Sequence, residues 1–414
     1  MSGVVLSLRG ACIEHSEMPH YVRFLKLPKI ERASSGLGSI KTLVTLTTDL
    51  GDSFLAEEVE LTASVHVDNY DDSFKCIKQK KFSWPAGARE VSVSIDGIRL
   101  DLRQHAIQLR IGPADHHVGP DDDFAVLSAI PQLISAWSPS FGGSGPLQAD
   151  KLVLRRLKAR CPAEVRIWEE TGNNLARHIW YVGYNAGYTK MMTMMITGDS
   201  SYQDASLAWL MLFQEALTPV EDDLAMCPFF TFKNLLRRKN GKSHFNVIEL
   251  GAGCGIVGIA LAQFLTECSV LLTDLEEVRE IVSRNISMSK PAAGSTLDFQ
   301  VLDWNDSIPG SISGRQYDIV VVSDCTYNSD SLPALVDTMA ALVDWSPQAI
   351  IIVALKRRHE SEAVFFELMR CASLDLCDKA RIRLPSVYSD GETERVDIEI
   401  YCFRLSSTSL RNVR

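Results

Sequence analysis

Along the first hundred residues, apolar and polar side chains alternate with a period of two. Val59 to Val67 and Val91-Ser-Val-Ser-Ile95 follow this alternation, and Leu43-Val-Thr-Leu46 is rich in β-branched residues, so the pattern predicts half-buried strands. Asp96-Gly97, between Val91–Ile95 and Ile98–Leu102, predicts a hairpin turn. A small antiparallel sheet is therefore expected here. From Gly112 to Asp150 the periodicity gives way to prolines, glycines and a triple acid at Asp121–Asp123, the composition of a linker, with room for a short helix over Phe124–Trp137. Leu152–Leu157 and Val165–Trp168 then read as two further strands.

From Asn246 onward the period itself alternates. Short apolar runs at Asn246–Leu250, Val270–Thr273, Phe299–Leu302, Ile319–Val322 and Ile350–Ala354 are separated by stretches of helical spacing, as at Ile256–Leu265, 331–343 and 360–374. Such alternation predicts a parallel sheet covered by helices on both faces. Val396–Phe403 alternates cleanly and is expected to add an antiparallel strand at the sheet margin. The expected organisation is a β-rich accessory domain over 1–112, a linker over 113–150 and an α/β domain over 151–406.

Composition narrows the class. The chain has 414 residues, 46% hydrophobic and 23% charged, which excludes a disordered or collagen-like protein. With 42 Lys+Arg against 52 Asp+Glu the formal charge is −10, which disfavours nucleic acid as a partner, because phosphate binding needs clustered cations. The ten cysteines form no CxxC pair and no zinc-ligand spacing, so they read as reduced thiols, and no metal site is expected. No run reaches the roughly 18–20 apolar residues of a membrane span, so a soluble intracellular protein is expected, in the cytoplasm or alternatively the nucleus; a monomer is expected as well.

The candidate chemistry lies at the strand ends. Glu249-Leu-Gly-Ala-Gly-Cys-Gly255 joins a strand to a helix, and its glycines allow backbone N–H groups to approach a ligand at the carboxyl end of the strand, although a tight structural turn has the same pattern. It lacks the third glycine of the dinucleotide fingerprint and has no GK[ST]. Asp274 ends the next strand, where it can accept from both hydroxyls of a ribose or simply cap the following turn. Asp303-Trp304 follows the third strand, where the pair suits an adenine amino group and ring, or a cap beside a core indole. After the fourth strand, Ser323-Asp324-Cys325-Thr326-Tyr327 sets a charged residue at the rim of the same crevice.

Taken together, Glu249–Gly255, Asp274, Asp303-Trp304 and Asp324-x-x-Tyr327 resemble the motifs of the seven-β-strand S-adenosylmethionine-dependent methyltransferases, specifically methyltransferase family 16, which contains many protein-lysine methyltransferases. The segment Glu170-Thr-Gly-Asn-Asn-Leu-Ala-Arg-His-Ile-Trp180 is similar to the one preceding the core in that family, and the resemblance covers roughly residues 150–405. It implies a Rossmann-like seven-stranded sheet with helices on both faces and S-adenosyl-L-methionine as cofactor. Trp180, Glu249, Gly251, Ala252, Gly253, Gly255, Asp274, Asp303, Trp304 and Ser323 would line the cofactor site, with Asp324 and Tyr327 on the acceptor side.

One departure stands out. In the family the Trp is followed directly by an Asp-led helix, whereas here Tyr181 to Gln203 intervenes before Asp204-Ala-Ser-Leu-Ala-Trp. An unspliced in-frame intron and a lineage-specific loop both account for it. The expected activity is methyl transfer to a protein lysine, as on translation factors. A small-molecule amine acceptor and a non-catalytic cofactor-binding scaffold are the alternatives.

Overall fold

The structure is a computed structural model that describes residues 19–32, 38–48, 53–68, 74–98, 105–114, 122–123, 133–158, 164–170, 202–217, 244–326, 328–356, 362–383, 388–389, 392–393 and 397–406. Eight long strands come first: β1 (His20–Arg32), β2 (Gly38–Thr47), β3 (Val59–Asp68), β4 (Phe74–Trp84), β5 (Val91–Ile98), β6 (Ala106–Pro113), β7 (Leu152–Lys158) and β8 (Glu164–Glu170). They form two sheets rather than one. β5, β2, β1 and a short strand at Leu133–Ile134 make the first; β8, β7, a short strand at Ala136–Trp137, β6, β3 and β4 make the second. The inward positions of the alternating pattern, among them Val22, Phe24, Val44, Ala63, Val65, Leu109 and Ile111, pack as one apolar core between them.

Two local expectations change. Asp96-Gly97 makes no hairpin: β5 runs straight through it along β2, with Gly97 at φ 70° and a register shift between the Gly38 and Ile40 pairs. A glycine in the left-handed region absorbs the extra residue of a bulge as readily as it makes a turn. The 113–150 stretch, expected as a linker, carries short strands at Asp122–Asp123, Leu133–Ile134, Ala136–Trp137 and Phe141–Gly142 that pair into the two sheets. Leu133, Ile134, Ala136 and Trp137, where a helix was expected, are buried strand residues. Polar, turn-rich composition here marks short strands rather than a free connection, and the sandwich sheet continues through β8 at Glu170.

The second half contains β9 (Phe245–Leu250), β10 (Cys268–Asp274), β11 (Thr296–Val301), β12 (Ile319–Ser323), β13 (Ile350–Lys356), β14 (Leu374–Arg383) and β15 (Asp397–Leu405). The longer helices among the described residues are α1 (Tyr202–Leu217), α2 (Ile256–Phe264), α3 (Arg279–Met288), α4 (Leu332–Trp345) and α5 (Glu362–Cys371). The seven strands form one sheet in the order β11-β10-β9-β12-β13-β15-β14, parallel except for β14 and β15. Each face has its own core. Val247, Leu272, Val321 and Ile352 pack with α1 and α2 on one side; Ile248, Val320, Val322 and Val353 pack with α4 and α5 on the other. Ile319–Val322 are therefore aliphatic without a break, since each such buried side chain contributes ~1.5–3 kcal/mol.

β15 does not lie at the margin. It is inserted between β13 and β14, and β14, which the periodicity left unassigned, is the edge. The polar side of the alternation is buried as well: the Glu399 carboxylate is closed off by Lys379 Nζ at 2.7 Å, Arg381 Nη2 at 3.0 Å and the Tyr401 hydroxyl. An ion pair inside a sheet looks, in sequence, like a solvent-facing charge.

The sandwich and the parallel sheet share a core. Tyr21, Ile134, Leu157, Val165 and Ile167 pack with Leu207, Leu210 and Phe213 of α1 and with α2. Among the described residues no helix is long and apolar enough to cross a membrane.

Candidate active site

The strand order reverses between β9 and β12, so the loops leaving their carboxyl ends diverge and open a crevice, the usual ligand position in such sheets. The first loop begins with Gly251 at φ 68°, and a side chain there would meet Cys325 Sγ at 2.5 Å and the Trp304 ring at 3.3 Å. Glycine is required on both counts. Cys325 spans the crevice, with its Sγ 3.6 Å from the Leu250 carbonyl oxygen. Burial pushes its thiol well above the usual range, and the charges of Asp274, Asp324 and Glu249 push it further, so it is a packed and unreactive group.

Beneath the loop, Glu249 Oε2 accepts the Gly258 N–H of α2 at 2.8 Å, and the Glu249 carbonyl accepts the Thr273 hydroxyl at 2.6 Å. Burial pushes the Glu249 carboxyl up to about 8; the Gly258 N–H opposes this and the Asp274 charge adds to it. Asp274 ends β10 with Oδ2 accepting the Gly253 N–H and Oδ1 the Leu275 N–H, both at 2.7 Å. Burial raises its carboxyl to about 6, against the pull of those two N–H groups. Asp274 thus supports the glycine loop and still has lone pairs for a ligand.

At the end of β12 the chain turns through Asp324, a non-glycine residue at φ 55°, whose N–H donates to the Ala354 carbonyl at 2.8 Å. Its side chain is buried. A left-handed aspartate costs ~1–2 kcal/mol relative to an ordinary conformation, and such strain collects at functional positions.

A cleft lies against this loop, with about 640 Å³ of empty space when its open mouth is counted. Of the residues read from sequence, Glu249, Gly251, Ala252 and Ser323 line it. Gly253, Asp274 and Trp304 stand directly behind or beside that lining. Two expectations shift. Gly255, at φ 84°, faces Leu272, Val282 and Ile259, so its missing side chain makes room for helix-to-sheet packing. Asp303 Oδ1 accepts from the backbone and side-chain nitrogens of Asn305, the cap reading of that residue. Trp180, Tyr327 and most of the 181–203 stretch lie outside the described residues.

The opposite wall was not anticipated. Tyr21, Ile134, Arg155, Leu157, Ile167 and Glu169 reach the cleft from the sandwich, and Ser206 and Leu207 from α1. The only signal in sequence is a pair of charges inside strand patterns, Arg155 and Glu169, with no indication of what they would face.

Two groups at the site lack partners among the described residues. Ser323 Oγ and Trp304 Nε1 are buried with no hydrogen bond among the described residues. A cradle without a Cβ at Gly251, an indole beside it, a strand-end carboxylate and these two orphaned polar atoms fit a nucleoside joined to a polar tail.

Similarity to known proteins agrees. A UPF0665 family protein of Schizosaccharomyces pombe is 23% identical over 352 residues, spanning 84% of this chain and 91% of its own. Protein-lysine N-methyltransferase EFM3 of Chaetomium thermophilum is 32% identical over 29% of this chain, and EEF1A lysine methyltransferase 3 of Mus musculus is 34% identical over 35% of it. These two matches span 38% and 59% of the relatives' own lengths. Residues 160–372, just over half of the chain, match the family described as lysine methyltransferase, and the chain belongs to that family of S-adenosylmethionine-dependent N-methyltransferases.

Proposed function

We propose that the crevice transfers a methyl group to the side-chain nitrogen of a protein lysine, with Asp324 capturing and aiming that nitrogen. The observation that carries this reading is the buried, left-handed Asp324 at the rim of the β9/β12 crevice, one residue from the cleft-lining Ser323. When bound, S-adenosylmethionine supplies an electrophilic methyl on a sulfonium sulfur. Asp274 would hold the ribose, Trp304 would cover the adenine, and the Gly251–Gly253 backbone would approach the amino-acid end.

A lysine amine with a pKa of about 10.4 arrives protonated and cannot attack. Partial desolvation in the crevice disfavours the ammonium, whereas the Asp324 carboxylate favours it. Asp324 therefore acts mainly by placing the nitrogen, with the proton leaving to water, and Tyr327 would orient the amine from the same loop. The rate gain is then largely one of proximity and alignment. Under the same reading the enzyme acts in the cytoplasm as a monomer, and its charge of −10 favours protein over nucleic acid as acceptor. The name of the EEF1A lysine methyltransferase 3 relative supports a translation factor as the substrate class.

The test is incubation of the purified chain with methyl-labelled S-adenosylmethionine and cell lysate. A labelled protein band yielding methyl-lysine on hydrolysis is expected. Label confined to small molecules would overturn the acceptor assignment.

A further inference from the structure

The methyltransferase loops build only one side of the cleft, and the charges on the other side come from the β-sandwich. Arg155 of β7 and Glu169 of β8 are diagonal neighbours across a hairpin in which Arg155 faces Ile167. Their side chains are only 5% and 7% exposed, with Arg155 Nη2 2.6 Å from Glu169 Oε1 and Nε donating to the same oxygen at 2.7 Å. Nη1 donates to the carbonyls of Val22 at 3.0 Å and Ser135 at 2.9 Å, and the guanidinium lies over the Tyr21 ring at 5.5 Å. Nη2 is different: it is buried and, apart from this ion pair with Glu169, makes no hydrogen bond among the described residues.

A packing role alone accounts poorly for this arrangement. A buried ion pair contributes little net stability compared with apolar side chains of similar volume, because both charges lose their hydration. Here the pair lies where an apolar surface would have served, amid Leu157, Val165 and Ile167, and it lines the cleft together with Gly251, Ala252 and Cys254. The Glu169 charge is close enough to the glycine loop to act on the Cys254 thiol.

We propose that Arg155 and Glu169 of the β-sandwich recognise the amino-acid end of the cofactor, Arg155 Nη2 donating to its carboxylate and Glu169 accepting from its ammonium. This rests on the cleft being the cofactor site. The two ends of a zwitterion need one fixed cation and one fixed anion a few ångströms apart, and a pair already aligned by backbone carbonyls loses little freedom on binding. The sandwich is then part of the cofactor site, facing the glycine loop across the amino-acid end.

The experiment compares two ligands on the full chain by calorimetry: S-adenosylhomocysteine, which carries the amino-acid end, and 5′-methylthioadenosine, which lacks it. For Arg155→Lys and Glu169→Gln, the affinity for S-adenosylhomocysteine is expected to fall roughly tenfold or more, with 5′-methylthioadenosine held within about twofold of wild type. Equal weakening of both ligands would mean a merely structural pair and overturn the proposal, as would unchanged binding of both. A variant that melts before the measurement is replaced by decarboxylated S-adenosylhomocysteine on the wild-type chain, whose affinity should fall by a similar factor; unchanged affinity also overturns the proposal. Wild-type binding without transfer to lysine would sink the acceptor reading and leave this one standing.

Discussion

Asn285 and Trp168 pair in both directions: the Trp168 N–H donates to Asn285 Oδ1 at 2.8 Å, and Asn285 Nδ2 donates to the Trp168 carbonyl at 2.9 Å. The same Nδ2 donates to the Cys254 carbonyl at 2.8 Å. One fully buried amide thereby ties an edge strand of the sandwich, a helix of the methyltransferase sheet and the glycine loop together. Asn285→Leu leaves three backbone groups without that partner and should destabilise the protein by ~2–4 kcal/mol. Chemical denaturation measures this, and a loss within experimental error would show that the two halves hold together without it.

Gly258 is the second point at which the loop is fixed. A Cβ there would lie 2.6 Å from Glu249 Oε2 and collide with the Leu272 side chain. Gly258→Ala must push β10 away from α2, at a cost of ~1–3 kcal/mol, despite alanine's better helix propensity. Thermal melting should show a lower midpoint, and a raised one would mean the helix has room to move.

The pH response follows from Asp274 and Glu249. Both carboxyls are raised by burial, from 3.8 to about 6 and from 4.5 to about 8, so the folded chain holds protons that the unfolded chain has lost. Their contribution therefore weakens the ligand-free protein as pH rises, from 3.8 to about 6 for Asp274 and from 4.5 to about 8 for Glu249. Glu249→Gln should flatten the upper part of that decline in melting experiments.

Cofactor affinity should move the opposite way. The ribose reading needs the ionised Asp274, so the affinity for S-adenosylhomocysteine should rise as pH passes through about 6. Asp274→Asn should weaken binding and remove the dependence. A wild-type affinity that stays flat across this range would remove Asp274 from the ribose.

Asp324→Asn tests the acceptor side. Asparagine tolerates the left-handed conformation at φ 55°, so folding and cofactor binding should persist while methyl transfer falls about 100-fold. Near-normal turnover would exclude Asp324 from placing the nitrogen. Asp324→Ala should show the same kinetic loss together with ~1 kcal/mol of added instability from backbone strain.

Local pattern was enough for what depends on neighbours along the chain. The apolar runs at Val247–Leu250, interrupted only by Glu249, and at Ile319–Val322 read as strands buried on both faces, and the residues ending them had to surface at one edge of a parallel sheet. That logic alone places the glycine loop, Asp274 and Asp324 at strand ends. Periodicity says which face a residue lies on and not what covers that face. For this reason β15 looked like an edge while Glu399 was neutralised inside the sheet, and Asp96-Gly97 looked like a turn while β2 continued alongside it. The cleft's second wall is the extreme case: Tyr21, Arg155 and Glu169 come within reach of Gly251 only because two sheets, far apart in sequence, bury their apolar faces against one helix layer. Charge placement along a strand is a property of the sequence, but the low-dielectric space that gives those charges a task exists only once the chain is packed.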